Sequence, residues 1–190
     1  MGGVLVELGP LDELLGIPLA AEEFWPAWLS SPSVRDFERG RCSETEFGAG
    51  LARELGLDLT ADEVVERFRA FPRGLFPGAA ELVSSVMEPV RTGVLSNTNK
   101  LHWEHQLDAE VIRELFDHRF LSYQLGLVKP DEAIFQRVVA ELEVDAGDVL
   151  FVDDNQLNVD GARRAGLDAH LAQGVDDARR ILLERELIPA

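Results

Sequence analysis

The pattern of apolar and polar positions changes character along the chain. Residues 11 to 75 carry apolar residues at helical spacing, with Leu14, Leu15, Phe24, Trp25 and Trp28 supplying the faces. Ser31-Pro32 reads as an N-cap followed by proline at the first helical position. Ser43-Glu-Thr-Glu46 is a capping box ahead of Phe47, Leu51 and Leu55, and Gly56 stops that helix. Thr60-Ala-Asp-Glu63 is a second capping box, ahead of Val64, Val65, Phe68 and Phe71. About four helices are predicted here, with the aromatic residues forming their core rather than a ligand cage. No alternating pattern interrupts them, so no strand of four or more residues is expected within 20 to 72.

From residue 76 the pattern alternates. Helices are predicted over 79–87 and about 101–116, and from Asp131 onward with Ile134, Val138 and Leu142 on one face. A further helix follows Asn155, and another spans 175–187. Between them lie short apolar runs that read as strands: 92–98, 119–125, 149–152 and 168–172. Alternation of this kind predicts an α/β fold, a parallel sheet with helices on both faces. Residues 1–10 and 76–190 then form the core, and the helical block 11–75 is an insertion above the carboxyl edge of the sheet.

Composition narrows the classes of partner. The chain has 190 residues, 46% of them hydrophobic and 28% charged, which suits a soluble globular protein. Its net charge is −17, which disfavours nucleic acid and anionic membranes and leaves an anionic ligand dependent on a local cation. One cysteine, Cys42, allows neither an internal disulfide nor a cysteine-rich metal site. No run approaches the roughly 20 apolar residues of a membrane span, and the first residues lack a signal-peptide pattern. A cytoplasmic protein is expected. Oligomeric state is left open.

Candidate chemistry lies at three strand ends: Ser96-Asn97, Lys129 and Asp153-Asp154. Ligands of open parallel sheets bind just beyond these ends. Adjacent carboxylates make a hard oxygen site suited to magnesium. A hydroxyl, an ammonium and a metal-binding carboxylate could together hold a phosphate. Each group alone has a plain structural alternative: the Asp pair and Ser96 as helix caps, Lys129 as an exposed side chain. Arg35, Arg39 and Arg41, around the turn at Gly40, are either a solvated face or contacts for a substrate.

In order and position these stretches resemble the haloacid dehalogenase-like hydrolase superfamily, mostly phosphatases. Gly2-Gly-Val-Leu-Val-Glu-Leu8 is similar to the end of the family's first motif, Val94-Leu-Ser-Asn-Thr-Asn99 to the second, Gly126-Leu-Val-Lys-Pro130 to the third, and Phe151-Val-Asp-Asp-Asn-Gln-Leu-Asn-Val159 to the fourth. Phe37-Glu-Arg-Gly40 and Leu95-Ser-Asn-Thr-Asn-Lys-Leu-His102 resemble the branch of sugar-phosphate phosphatases and the phosphatase domain of soluble epoxide hydrolase, which carries a helical cap after the first strand.

The resemblance implies roles. Ser96 and Asn97 would bind phosphate, and Lys129 would hold nucleophile and phosphate in register. Asp154 would be the main Mg2+ ligand, supported by Asp153, by Asn158 where relatives often have Asp, and by the backbone carbonyl of Gly2. The implied function is a magnesium-dependent phosphatase of a small phosphorylated metabolite, a sugar phosphate among the candidates, acting through an aspartyl-phosphate. The family's nucleophilic Asp falls immediately before Met1, and Gly2 stands in place of the usual acid/base Asp. The central first strand is largely missing as well. The expectation is therefore a start assigned too late or a truncation, with Met1 internal to Phe-Asp-Met-Gly-Gly, and a 190-residue chain that is inactive. Two alternatives stand beside this one: a haloacid dehalogenase needing no metal, and a catalytically dead relative that binds a phosphate ligand or a protein partner.

Overall fold

The computed structural model describes residues 1–15 and 21–189. Three two-stranded ladders organise the α/β part. Strand β1 (Val6–Leu8) pairs antiparallel with β2 (Pro72–Leu75). Strand β3 (Gly93–Ser96) runs parallel to β4 (His118–Leu121), with Val94 opposite Arg119. Strand β5 (Leu150–Asp153) runs parallel to β6 (Asp168–Leu171), with Phe151 opposite Ala169. Among the described residues no ladder joins β3 to β5. The N-terminal segment lies between those ladders instead: Val4 packs with Leu150 and Val152, while Val6 packs with Val94.

The helical block sits between β1 and β2. It comprises α1 (Leu11–Leu15), α2 (Ala21–Ser30), α3 (Pro32–Glu38), α4 (Glu44–Leu55) and α5 (Ala61–Arg69). Stretch 16–20 of the expected helical block lies outside the described residues. The capping signals act as their sequences suggest. Ser31 accepts from the Val34 N–H, and both capping boxes close in both directions. Phe37 stacks on Phe47 at 4.4 Å between centroids, and Phe68, Trp28, Leu51 and Val64 complete a core belonging to the block itself. No strand forms within the described residues from 21 to 71. Pro72–Leu75, expected as helix, is extended, because its partner β1 offers it a ladder on returning to the sheet.

After β2 come α6 (Ala79–Ser84), α7 (Lys100–His105) and α8 (Ala109–Glu114). The single helix expected over 101–116 is broken between α7 and α8. Asp108 there adopts φ 60°, and its carboxylate accepts the Leu75 N–H, a tertiary bond that outweighs helical continuity. The strand expected to reach Leu125 ends at Leu121. Ser122 bonds both the N–H and the carbonyl of Thr98, turning the chain into α9 (Ser122–Leu125). Helices α10 (Glu132–Leu142) and α11 (Gln156–Arg164) cover β5, with Ile134, Phe135, Val159 and Ala162 wholly buried against Phe151. Helix α12 (Gly174–Glu184) closes the chain. A Cβ on Gly161 would lie 2.5 Å from the Pro130 carbonyl, so only glycine lets α11 approach the turn that carries Lys129.

Candidate functional site

The carboxyl ends of β3 and β5 and the turns after them enclose a cleft of about 130 Å³, roofed by the helical block. Its lining brings together Gly2, Ser96, Asn97, Lys129, Asp153, Asp154 and Asn158, the residues expected to hold phosphate or metal; Arg35, Arg39 and Arg41 do not line it. Lys129 is almost wholly buried, and its Nζ lies 2.6 Å from Asp153 Oδ2 and 3.2 Å from the Leu95 carbonyl. The other Asp153 oxygen accepts from the Asn155 N–H at 3.0 Å and from Asn158 Nδ2 at 2.8 Å. Burial pushes the Asp153 carboxyl up, but Lys129 and these hydrogen bonds outweigh it and hold the group below the usual carboxylate range. Asp153 is therefore a fixed anion that neutralises and aims Lys129.

Asp154 is placed differently. It forms no ion pair among the described residues. Burial raises its pKa, the Met1 amine draws it back, and the neighbouring Asp153 adds to the rise. The N-terminal backbone crowds against it: a Cβ on Gly3, where φ is +73°, would lie 2.2 Å from Asp154 Oδ2. Asn97 ties β3 to the Lys129 turn with two bonds, donating to the Lys129 carbonyl and accepting its N–H. Ser96 is buried, with its Oγ 3.3 Å from the Asn97 carbonyl.

The donor set fits a hard cation by one specific observation. Asn158 Oδ1 is buried and has no hydrogen-bond partner, although the same amide's nitrogen is engaged. An unsatisfied acceptor beside the unpaired Asp154 is suited to a magnesium ligand sphere completed by water. Among the described residues, no three His, Cys, Asp or Glu side chains gather closely enough to form an all-side-chain cage.

Sequence reasoning left several lining residues without a role. Glu38, on α3, is only 7% exposed. Burial lifts its carboxyl to about 7, against smaller opposing effects from Trp28, Lys129, Arg35 and Asn97. A signal was present: Glu38 lies four residues after buried Val34, on the apolar face of its helix. His102 is buried against Phe68 and bonds its carbonyl at 2.6 Å; burial lowers its pKa to about 4, so it is neutral. The cap arginines have a defined place. Arg35 and Arg39 both bond Asp131 Oδ2, at 2.6 and 2.9 Å, joining α3 to the turn after Lys129. Arg41 reaches toward the Gly126 carbonyl at 3.5 Å.

The profile of the haloacid dehalogenase-like hydrolases matches residues 11–166. The chain belongs to that family. A phosphatase of Mycobacterium tuberculosis is 32% identical over 83% of this chain and 75% of its own. D-ribitol-5-phosphate phosphatase of Bacteroides thetaiotaomicron is 26% identical over 95% and 93%. Among solved structures, a haloacid dehalogenase-family enzyme of B. thetaiotaomicron superposes with a TM-score of 0.73, at 21% identity, over 96% of this chain and 95% of that one. Its likeness supports the fold, and a structure of the same enzyme carries magnesium and inorganic phosphate. As in other haloacid dehalogenase-like hydrolases, the fold here is α/β with parallel strands and many helices. No helix among the described residues is long and apolar enough to cross a membrane.

Proposed function

We propose that this haloacid dehalogenase-like hydrolase is a magnesium-dependent phosphatase of a small phosphorylated metabolite. The observation that carries the reading is the cleft itself. One buried ammonium, aimed by a buried carboxylate, stands beside a second carboxylate that forms no ion pair with a side chain among the described residues and an amide oxygen left unsatisfied. In this reading Lys129 and the Ser96 hydroxyl hold phosphoryl oxygens, and Asn97 fixes the distance between β3 and the Lys129 turn. Asp154, the Asn158 oxygen and the Gly2 carbonyl would hold magnesium, with Asp153 keeping Lys129 in place. When bound, the metal supplies positive charge to the phosphate in a site whose surroundings are strongly acidic. Named phosphatases among the relatives support the same class.

Covalent phosphoryl transfer needs an attacking nucleophile, a carboxylate when it runs through an aspartyl-phosphate. Met1 lines the cleft together with Gly2, Lys129, Asp153 and Asp154, so a residue joined to its nitrogen would enter the same cleft. We infer that a carboxylate there would be the nucleophile and that the 190 residues alone do not turn over. The test adds a first strand ending in Phe-Asp ahead of Met1 and assays an aryl phosphate with magnesium. Activity is expected from that extension, none above background from the 190 residues or from an extension ending in Phe-Asn, and loss of activity in Asp154→Ala. Turnover by the unextended chain, abolished in Asp154→Ala, would sink the proposal.

A further inference from the structure

Glu38 is a buried acid that the phosphate chemistry does not use. Among the described residues lining the cleft, it is the one carboxylate contributed by the helical block. It forms no ion pair among them. The cations nearest to it are committed elsewhere: Arg35 to Asp131 and the Leu29 carbonyl, Lys129 to Asp153. Trp28 and Asn97 lie close enough to favour its charged form, and Asn97 is the residue bonded to the Lys129 turn. Glu38 thus stands across the cleft from the acidic strand end, beside the phosphate-holding groups. Around it the lining is apolar: Trp25, Trp28, Leu29, Phe68 and Phe71.

That combination defines what fits between phosphate and cap. A hydrocarbon group beside it brings no further donor to a buried carboxylate, and incomplete hydrogen bonding there is costly. Above about pH 7, where Glu38 is ionised, a second anion on the ligand, such as a carboxylate, meets a like charge at short range in a poorly hydrated site. A hydroxyl satisfies the carboxylate with a charge-assisted bond, while the C–H faces of a polyol lie against the tryptophan rings. We propose that Glu38 is the specificity-determining residue for the leaving alcohol, selecting phosphate monoesters that bear a free hydroxyl and rejecting those that bear a carboxylate. This rests on the phosphatase reading above and adds the class of alcohol to it.

Calorimetric titration at pH 8, where Glu38 is ionised, and with magnesium present tests it on the 190-residue protein, using D-ribitol 5-phosphate, butyl phosphate, 3-phosphoglycerate and inorganic phosphate as probes. The parent should favour ribitol 5-phosphate over butyl phosphate by at least tenfold. Glu38→Gln keeps size and one acceptor; Glu38→Ala removes both. Each should reduce that preference, Ala to within threefold, and each should raise the affinity for 3-phosphoglycerate relative to inorganic phosphate at least fivefold. The gain for a carboxylated ester is a change that a merely structural role for Glu38 would not produce. Inorganic phosphate failing to bind the parent would overturn the phosphatase reading, and this assignment with it. Phosphate binding with both preference ratios unchanged in the variants would overturn the role of Glu38 alone.

Discussion

At the scale of single residues, two buried charges behave oppositely because of what surrounds them. Glu38 has its pKa moved from 4.5 to about 7, with burial as the main cause and the charges of Lys129 and Arg35 opposing it. A folded pKa above the unfolded one means that the native state holds the proton longer. Stability is then lost as pH rises from about 4.5 through 7, by about 3 kcal/mol in total. Glu38→Gln should therefore match the parent near pH 4 and exceed it increasingly up to pH 8. Urea melts at a series of pH values measure this; parallel curves for the two proteins would contradict it. Lys129 and Asp153 form the opposite case, a pair in which each charge needs the other. Lys129→Met should cost about 3–5 kcal/mol by leaving Asp153 unpaired, and adding Asp153→Asn should recover much of that. A double variant no more stable than Lys129→Met would show that the ion pair is not the cause.

At the scale of elements, α3 is the hinge of the site. Its polar edge, Arg35 and Arg39, grips Asp131 in the turn after Lys129, while its buried face carries Glu38. One short helix therefore both closes the cap and presents the acid. Asp131 is more than a third exposed in its side chain, so the two pairs contribute modestly, about 1 kcal/mol together. Asp131→Asn should leave global stability nearly unchanged while loosening the cap on the core. Hydrogen exchange should then rise in α3 and at Ser122–Gly126, and stay level in α10 and α11. Unchanged exchange in α3 would show that the latch is not what seats it.

At the scale of the whole molecule, the site lies between two ladders that no strand joins among the described residues. The side chains of Val4, Leu5 and Val6 span the gap, yet β3 and β5 each keep a row of backbone groups that a strand between them would pair. Extensions ending in Phe-Asp and in Phe-Asn should stabilise the protein equally, because both supply the same backbone partner; the measurement is the melting temperature of each. Magnesium should raise the melting temperature of the 190-residue protein by mass action, and Asp154→Ala should abolish that response. A parent-like response in Asp154→Ala would remove Asp154 from the metal site.

Much of this molecule was legible from local signals, because those signals are local in physics as well. A capping box needs only four neighbouring residues, so Ser43–Glu46 and Thr60–Glu63 read correctly. Apolar runs closed by polar strand ends placed Ser96 and Asp153-Asp154 at one edge of the sheet; Lys129, read as a third strand end, lies instead in the turn between α9 and α10, because the chain leaves β4 at Leu121 to form α9. Tertiary structure decided the rest. Asp108 broke an otherwise continuous helix because its bond partner, the Leu75 N–H, lies 33 residues away. Glu38 shows in sequence only its place on the apolar side of its helix; the fold buries it in the cleft that also holds Lys129. Arg35 and Arg39 read either as a solvated face or as substrate contacts until the fold sets them against Asp131, which is 96 and 92 residues distant in sequence. The sequence by itself determined which residues carry charge and which segments coil. Which charges meet, and which acid is left facing an open cleft without a cation, depends on distances that only the folded chain sets, since electrostatic and hydrogen-bond energies act over a few ångströms and take no account of separation along the backbone.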